Sequence, residues 1–162
     1  MILLTVQLVT DDRSMPYEND LKNTLKAVPS ELLQDYETLV VRLVDKDEAK
    51  DFNDRFRGIN KATNVLAFPA GNSDYSMSCH LGDLLICVPL VISEAYENQI
   101  SPSDRLIHLF VHGILHLVGF THEDDSSAIV MEALEIKILG QIGIQSPYEG
   151  LDRFSSGCRV PE

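Results

Sequence analysis

The sequence predicts an α+β fold, an α/β sandwich in which a small, mostly parallel sheet of four strands packs with about five helices. Two observations predict it. Segments rich in β-forming residues alternate with segments whose apolar residues recur at helical spacing, as in chains that pass repeatedly between a sheet and its covering helices. In addition, residues 106–118 are apolar on nearly every side of a helix, which is typical of a central, buried helix.

The first four predicted elements alternate between strand and helix. In chain order they are a strand at 2–9, a helix at 17–27, a strand at 38–44 and a helix at 46–56. Both strands are rich in β-branched and large apolar residues. Pro29 closes the first helix, and Ala49, Phe52 and Phe56 recur at helical spacing in the second.

The second half is predicted to place its last two strands before its last three helices. In chain order the elements are a strand at 63–68, a loop at 70–80, a strand at 81–88, a helix from 89, a helix at 101–118 and a helix from 123. Pro69 stops the third strand because proline has no amide hydrogen to donate. Ser101, Pro102 and Asp104 form a helix start, with a capping residue, a first-turn proline and an acid. The last helix has apolar residues at helical spacing: Val130, Leu134, Ile138 and Ile142.

Length and composition predict one domain. The chain has 162 residues, enough for a proper hydrophobic core, and shows no internal repeat or linker. We therefore expect a single domain over residues 1–145. Residues 146–162, which are rich in proline and glycine, are expected to form a loosely ordered tail.

Charge and cysteine content restrict the partners and the compartment. A net charge of −12 argues against a broad electrostatic grip on nucleic acid or an anionic membrane, so neither DNA nor a membrane is expected as a partner. The apolar amino terminus carries no early lysine or arginine and therefore does not look like a signal peptide. Three cysteines, with no C-x-x-C pair, indicate a reducing, cytoplasmic setting.

The segment HGILHLVGFTH at 112–122 predicts a metal centre. His112 and His116 are four residues apart and share one face of a helix. Gly119 can adopt the left-handed conformation that ends a helix, which brings His122 back as a third ligand. Three imidazoles leave a fourth position of a tetrahedral zinc site open, which is typical of catalytic zinc.

Two further histidines and the spacing of a peptidase motif bear on this interpretation. His108 lies one turn before His112 and is assigned to the surroundings of the ligands or to the core, while His80 is assigned to a loop. The spacing also matches the metzincin peptidases, but these need glutamate directly after the first histidine. Here that position is Gly113, so a peptidase mechanism has no general base.

Taken together, three blocks of this sequence resemble the YbeY family of bacterial endoribonucleases, also called rRNA maturation factors. HGILHLVGFTH is similar to the family signature H-G-x-L-H-L-x-G-Y-D-H, with Phe120 and Thr121 as departures. Residues 52–69 resemble L-N-x-x-Y-R-x-x-x-x-P-T-D/N-V-L-S-F-P, and residues 81–87 resemble L-G-D-I-x-I-x. The resemblance covers residues 40–144 and implies that His112, His116 and His122 are the ligands.

The second block also contains a concentration of positive charge. Five of the thirteen basic residues lie within residues 46–61 of an otherwise acidic chain. Acidic residues are mixed among them, so Lys46 and Lys50 are interpreted as a solvated helix face. Arg57 precedes a glycine turn and falls on the family's invariant arginine. Its planar guanidinium suits a phosphate, so we expect Arg57 to act in catalysis and substrate binding, with Lys61 as a second substrate contact.

The resemblance implies a metal-dependent endoribonuclease that favours single-stranded RNA. It would act in maturation of the 3′ end of the small-subunit (16S) rRNA and in ribosome quality control, with the small subunit and assembly factors as partners. Zinc is the expected cofactor, although imidazole also suits other divalent metals. Two alternatives stay open: a non-catalytic ribosome-assembly factor with a structural metal, and a metal hydrolase acting on another substrate.

Overall fold

A computed structural model describes residues 1–71 and 79–148 of the chain. These residues form four strands and six helices. The elements, in chain order, are β1 (Leu3–Leu8), α1 (Tyr17–Ala27), α2 (Ser30–Leu33), β2 (Thr38–Val44), α3 (Lys46–Arg57), β3 (Val65–Pro69), β4 (His80–Cys87), α4 (Val88–Glu97), α5 (Pro102–Leu117) and α6 (Asp125–Gln141).

The four strands form one mixed sheet in the order β1-β2-β4-β3. β1 pairs with β2 in parallel, and β2 pairs with β4 in parallel. β3 runs antiparallel to β4 and lies at the edge of the sheet. Within the described residues, the outer edge of β3 has no strand partner, and residues of β3 line the cleft described below.

Helices cover both faces of the sheet. On one face, α5 packs against β3, β4, α1, α4 and α6, and its apolar side chains belong to the main core. On the other face, α3 packs on β4 around a smaller core that includes Ala49, Leu66 and Leu85. The long helix α5 is thus buried on nearly all sides, as its sequence predicts.

Gly113 allows α5 to approach the sheet closely. A Cβ atom at this position would lie 2.7 Å from Cδ2 of Leu84, whose side chain is fully buried in β4. Metzincins have glutamate at this position. The same contact leaves no space between α5 and β4 for so large a side chain here.

The predicted fold class is confirmed, with differences in detail. The sheet is mostly parallel, and the additional helix is the single-turn α2. Val130 is 53% exposed and Phe56 is 62% exposed, so neither contributes to a buried helical stripe. The buried side of α6 instead carries Ala128, Met131, Glu135, Ile138 and Leu139.

Two predicted features fall wholly or mostly outside the described residues. Most of the loop predicted at 70–80, and residues 149–162 of the predicted tail, belong to this part of the chain. Among the residues that are described, no helix is long and apolar enough to cross a membrane.

Candidate metal centre and active-site cleft

The start and the end of α5 position the predicted metal ligands. The Ser101 hydroxyl caps the helix by accepting a hydrogen bond from the backbone N–H of Asp104, at 3.1 Å. At the other end, Gly119 has a φ of 107°, and the N–H of Phe120 donates to the carbonyl of Leu115 at 2.9 Å. This closing turn reverses the chain and returns His122 toward the helix.

The ring nitrogens of the three predicted ligands lie close together. His112, His116 and His122 each offer a ring nitrogen, and these nitrogens lie within 4.8 Å of one another. The ring centroid of His116 lies 4.6 Å from that of His112 and 4.9 Å from that of His122. His112 is buried, whereas His116 and His122 are partly exposed, so the cluster is accessible from one side.

The donor set fits a divalent metal ion. Nε2 of His112 and Nε2 of His116 are only 3.0 Å apart and point at each other. A cation placed beside both nitrogens could accept a lone pair from each. Three nitrogen donors with one accessible side are the arrangement that catalytic zinc sites use.

Glu135 on α6 orients His112. It is completely buried, and its Oε1 lies 2.5 Å from Nδ1 of His112. A carboxylate only accepts hydrogen bonds, so Nδ1 of His112 carries the proton and Nε2 keeps its lone pair free on the side of the cluster. Carboxylate–histidine pairs of this kind fix the tautomer of metal ligands.

Glu135 stays ionised despite its burial. Burial by itself raises the pKa of a carboxyl group, but hydrogen bonds from His108 and His112 outweigh this effect and lower the pKa of Glu135 to about 2. Burial also lowers the pKa of His108, which favours its neutral form. Tyr148 donates its hydroxyl proton to Oε2 of Glu135. The carboxylate is therefore held by three donors, two from α5 and one from the segment after α6.

Arg57 reaches the same cleft as the histidines. A cleft of about 220 Å³ is lined by Arg57, by His112, Gly113 and His116 of α5, and by residues of the edge strand β3. Arg57 is the last residue of α3, and Gly58 ends that helix with a φ of 69°. An imidazole cluster and an exposed guanidinium on one cleft form an arrangement that can hold a phosphodiester between them.

Lys61 does not line this cleft. Its side chain is exposed, and its backbone carbonyl accepts a hydrogen bond of 2.7 Å from Nδ2 of the buried Asn53. The structure thus places Arg57 on the same cleft as His112 and His116, with His122 beside them in the histidine cluster, and leaves Lys61 outside the cleft lining. Thr121, where the family signature has aspartate, is exposed.

Sequence reasoning assigned no role to Glu135 or Tyr148. A signal for Glu135 does exist: it is an acidic residue on the same helical face as Met131 and Ile138, which are buried. A charged residue inside an apolar stripe predicts a partner of opposite charge or a hydrogen-bonding role. Tyr148 lies in the segment predicted as a loose tail and gives no such signal.

Comparisons with known proteins agree with the geometry. The family profile described as Endoribonuclease YbeY matches residues 6–143. The chain belongs to this family. The prediction of an endoribonuclease family from the three sequence blocks is thereby confirmed.

Individual YbeY relatives match over most of the chain. A protein named Endoribonuclease YbeY from Ruthia magnifica is 40% identical over 146 residues, which cover 90% of this chain and 100% of that protein. One of the same name from Coxiella burnetii is 36% identical over 151 residues, covering 92% and 99% of the two chains. Another from Xanthomonas campestris is 48% identical over 116 residues, covering 69% and 72%.

A solved structure shares the fold. The solution structure of a protein from Thermotoga maritima superposes with a TM-score of 0.54 at 24% identity, covering 85% of this chain and 91% of that one. This likeness supports the α+β architecture with its mostly parallel sheet.

Proposed function

We propose that this protein is a metal-dependent endoribonuclease that cleaves phosphodiester bonds in single-stranded RNA. Membership of the YbeY family supports the reaction class. The observation that carries the proposal is the shared cleft, which is lined by Arg57 and by His112 and His116 of the three-histidine cluster. A phosphodiester needs both an activated nucleophile and a partner for its negative charge, and this cleft offers groups for each.

His112, His116 and His122 would hold one ion, which we propose to be zinc. A divalent ion in such a site supplies Lewis-acid chemistry, activating water near neutral pH or polarising a phosphoryl oxygen. The partial exposure of His116 and His122 supports a catalytic role for the ion over a purely structural one, because structural zinc sites are closed by four protein ligands.

Arg57 would bind the phosphate. Its position at the end of α3, directly before Gly58, sets its side chain at the rim of the cleft while leaving the helix backbone intact. A guanidinium can donate two parallel hydrogen bonds to a phosphate, and it keeps its charge at any physiological pH. Lys61, exposed and outside the cleft lining, would contact the RNA backbone beyond the reacting phosphate.

The substrate is proposed to be ribosomal RNA. The resemblance in sequence to the rRNA maturation factors points to the 3′ end of small-subunit (16S) rRNA and to ribosome quality control in the cytoplasm, with the small subunit and assembly factors as partners. Because the chain has a net charge of −12, we propose that local contacts at Arg57 and the metal centre hold the RNA, and not a broad basic surface.

One experiment tests the reaction. Purified protein is analysed for bound metal and incubated with a defined single-stranded RNA and its duplex, with and without chelator. We expect about one zinc per chain, cleavage of the single strand, and loss of cleavage after chelation. Metal-loaded protein that never cuts RNA contradicts the proposal and supports an assembly factor. Cleavage of generic esters with no effect on RNA supports another hydrolase.

Analysis of the product ends identifies the nucleophile. A 3′-hydroxyl on the upstream fragment indicates attack by water. A cyclic or 3′-phosphate indicates attack by the ribose 2′-hydroxyl and excludes the water route.

A further inference from the structure

We infer that Arg105 is a positioning residue for the metal centre: it fixes the ring of His108, which helps to hold Glu135 and thereby His112. This inference rests on the proposed metal site and assigns a role to residues outside it. Arg105 lies on α5, two turns before His112, and its side chain is only 12% exposed.

Glu94 anchors the side chain of Arg105. Its Nε and Nη2 atoms donate to Oε2 of Glu94 on α4, at 2.9 and 2.7 Å. Glu94 also accepts hydrogen bonds from Nδ2 of Asn64, at 3.2 Å to Oε1. Asn64 is itself buried and directly precedes β3, which lines the cleft. The guanidinium is therefore held by a carboxylate that Asn64 in turn anchors.

Arg105 also determines which ring nitrogen of His108 carries the proton. Nη1 of Arg105 lies 3.1 Å from Nδ1 of His108. A guanidinium can only donate hydrogen bonds, so Nδ1 must accept, and the proton of the neutral ring lies on Nε2. Nε2 is 3.3 Å from Oε2 of Glu135, to which it donates. Arg105 thus selects both the tautomer and the orientation of this ring.

Glu135 in turn connects His108 to the proposed metal ligand His112. With His108 and Tyr148 donating to Oε2, the other oxygen, Oε1, is directed at Nδ1 of His112. Removal of Arg105 would free the His108 ring to rotate or change tautomer. The carboxylate would then lose one of its constraints, and His112 would be oriented less firmly toward the ion. Loss of outer hydrogen-bonding partners typically weakens metal binding 10–100-fold.

The test uses Arg105→Met, which keeps the aliphatic stem and removes the donors. Because this leaves the Glu94 carboxylate without its main partner, the double variant E94Q/R105M is made alongside it. The matched control is Arg42→Met, which breaks a similar ion pair with Glu48 at 2.6 Å on β2, far from the histidines. Zinc affinity is measured for each purified variant by competition with a chromophoric chelator. The tautomer of His108 is measured by ¹⁵N NMR in the metal-free proteins.

We expect wild-type His108 to carry its proton on Nε2. Either Arg105 variant should show a mixture of tautomers and bind zinc about tenfold more weakly, at the lower end of the range for outer partners. Arg42→Met should keep the wild-type affinity. Partial recovery of affinity in Arg105→Lys, which restores one donor, would support the same conclusion.

Three results would overturn the inference. One is a wild-type His108 with its proton on Nδ1. Another is a folded Arg105 variant that binds zinc as tightly as wild type. The third is weakened binding with an unchanged His108 tautomer, since the effect would then not pass through His108. Wild-type protein that binds no zinc contradicts the proposed metal centre instead, and the tautomer measurement still decides whether Arg105 orients His108.

Discussion

His112, His116 and His122 carry identical side chains in different surroundings. His112 is buried and tied to Glu135, whereas His116 and His122 are partly exposed on the open side of the cluster. His112 is therefore the ligand that the protein interior orients, and the other two complete the site from its accessible side. Arg57, at the cleft rim, is exposed and carries the positive charge.

Replacing His116 with alanine is predicted to remove most of the bound metal. Two remaining nitrogens make a poor zinc site, since structural and catalytic zinc both need at least three protein ligands. Metal content per folded chain is measured by elemental analysis. His80→Ala is the control, because His80 bonds to Thr38 and Asp83 and takes no part in the cluster. Equal metal loss in both variants would show that the ligand set is misassigned.

Arg57→Ala is predicted to lower RNA cleavage on the order of 10²-fold, the scale of losing one charge partner in the transition state. Metal content and melting temperature should stay close to wild type, because the side chain is exposed. Arg55→Ala serves as the control: Arg55 lies on the same helix, is 70% exposed and pairs with Asp51. If Arg57→Ala melts several degrees lower and its activity follows the folded fraction, the catalytic role is refuted.

At the scale of elements, the site depends on how closely α5 and β3 approach β4. β4 contains Gly82, with a φ of 149°, where a Cβ atom would lie 2.5 Å from the carbonyl oxygen of Phe68 and 2.8 Å from Cδ2 of Leu117. This glycine lets the edge strand pair with β4 at the floor of the cleft. Together with Gly113, it keeps α5 and both strands in contact.

Gly82→Ala is therefore predicted to destabilise the protein by about 2 kcal/mol or more, since overpacking and backbone strain act together. The free energy of unfolding is measured by denaturant titration. Gly140→Ala is the matched control: a Cβ atom there meets nothing within 4 Å, and alanine favours the helix by about 0.5 kcal/mol. Equal stability of the two variants would contradict the proposed close packing.

For the whole molecule, the core and the metal centre are largely separate. The main core extends over the sheet, α1, α5 and α6, whereas the histidine cluster lies on the C-terminal half of α5 and the turn after it. We therefore expect the core to fold without the ion. Metal binding then adds to stability only through its affinity for the folded state.

Chelation is predicted to abolish cleavage while leaving the circular dichroism spectrum unchanged. The melting temperature should fall by several degrees, because an ion at 100 times its Kd adds about 2.7 kcal/mol and 1 kcal/mol shifts a protein of this size by about 2–4 °C. Thermal melts with and without zinc measure this. Complete unfolding without metal would instead support the structural-metal alternative.

Much of the fold and part of the site follow from local patterns. Strand and helix periods predicted the sheet and the buried α5. The spacing of His112, His116 and His122 predicted that their ring nitrogens converge on one metal site. Local patterns were less reliable where burial decides the outcome. Val130 and Phe56 are apolar and correctly spaced, yet both are exposed, Phe56 despite its ring contact with Phe68 of β3.

The sequence by itself determined which residues form the histidine cluster, because their spacing follows from one helix and the turn after it. Only the tertiary structure decided which residues from other helices orient these histidines. Glu135 lies 23 residues from His112 and 27 from His108, and Glu94 lies 11 from Arg105. These contacts depend on how three helices pack around the sheet. Helical periodicity relates side chains within one helix and contains no information about such partners.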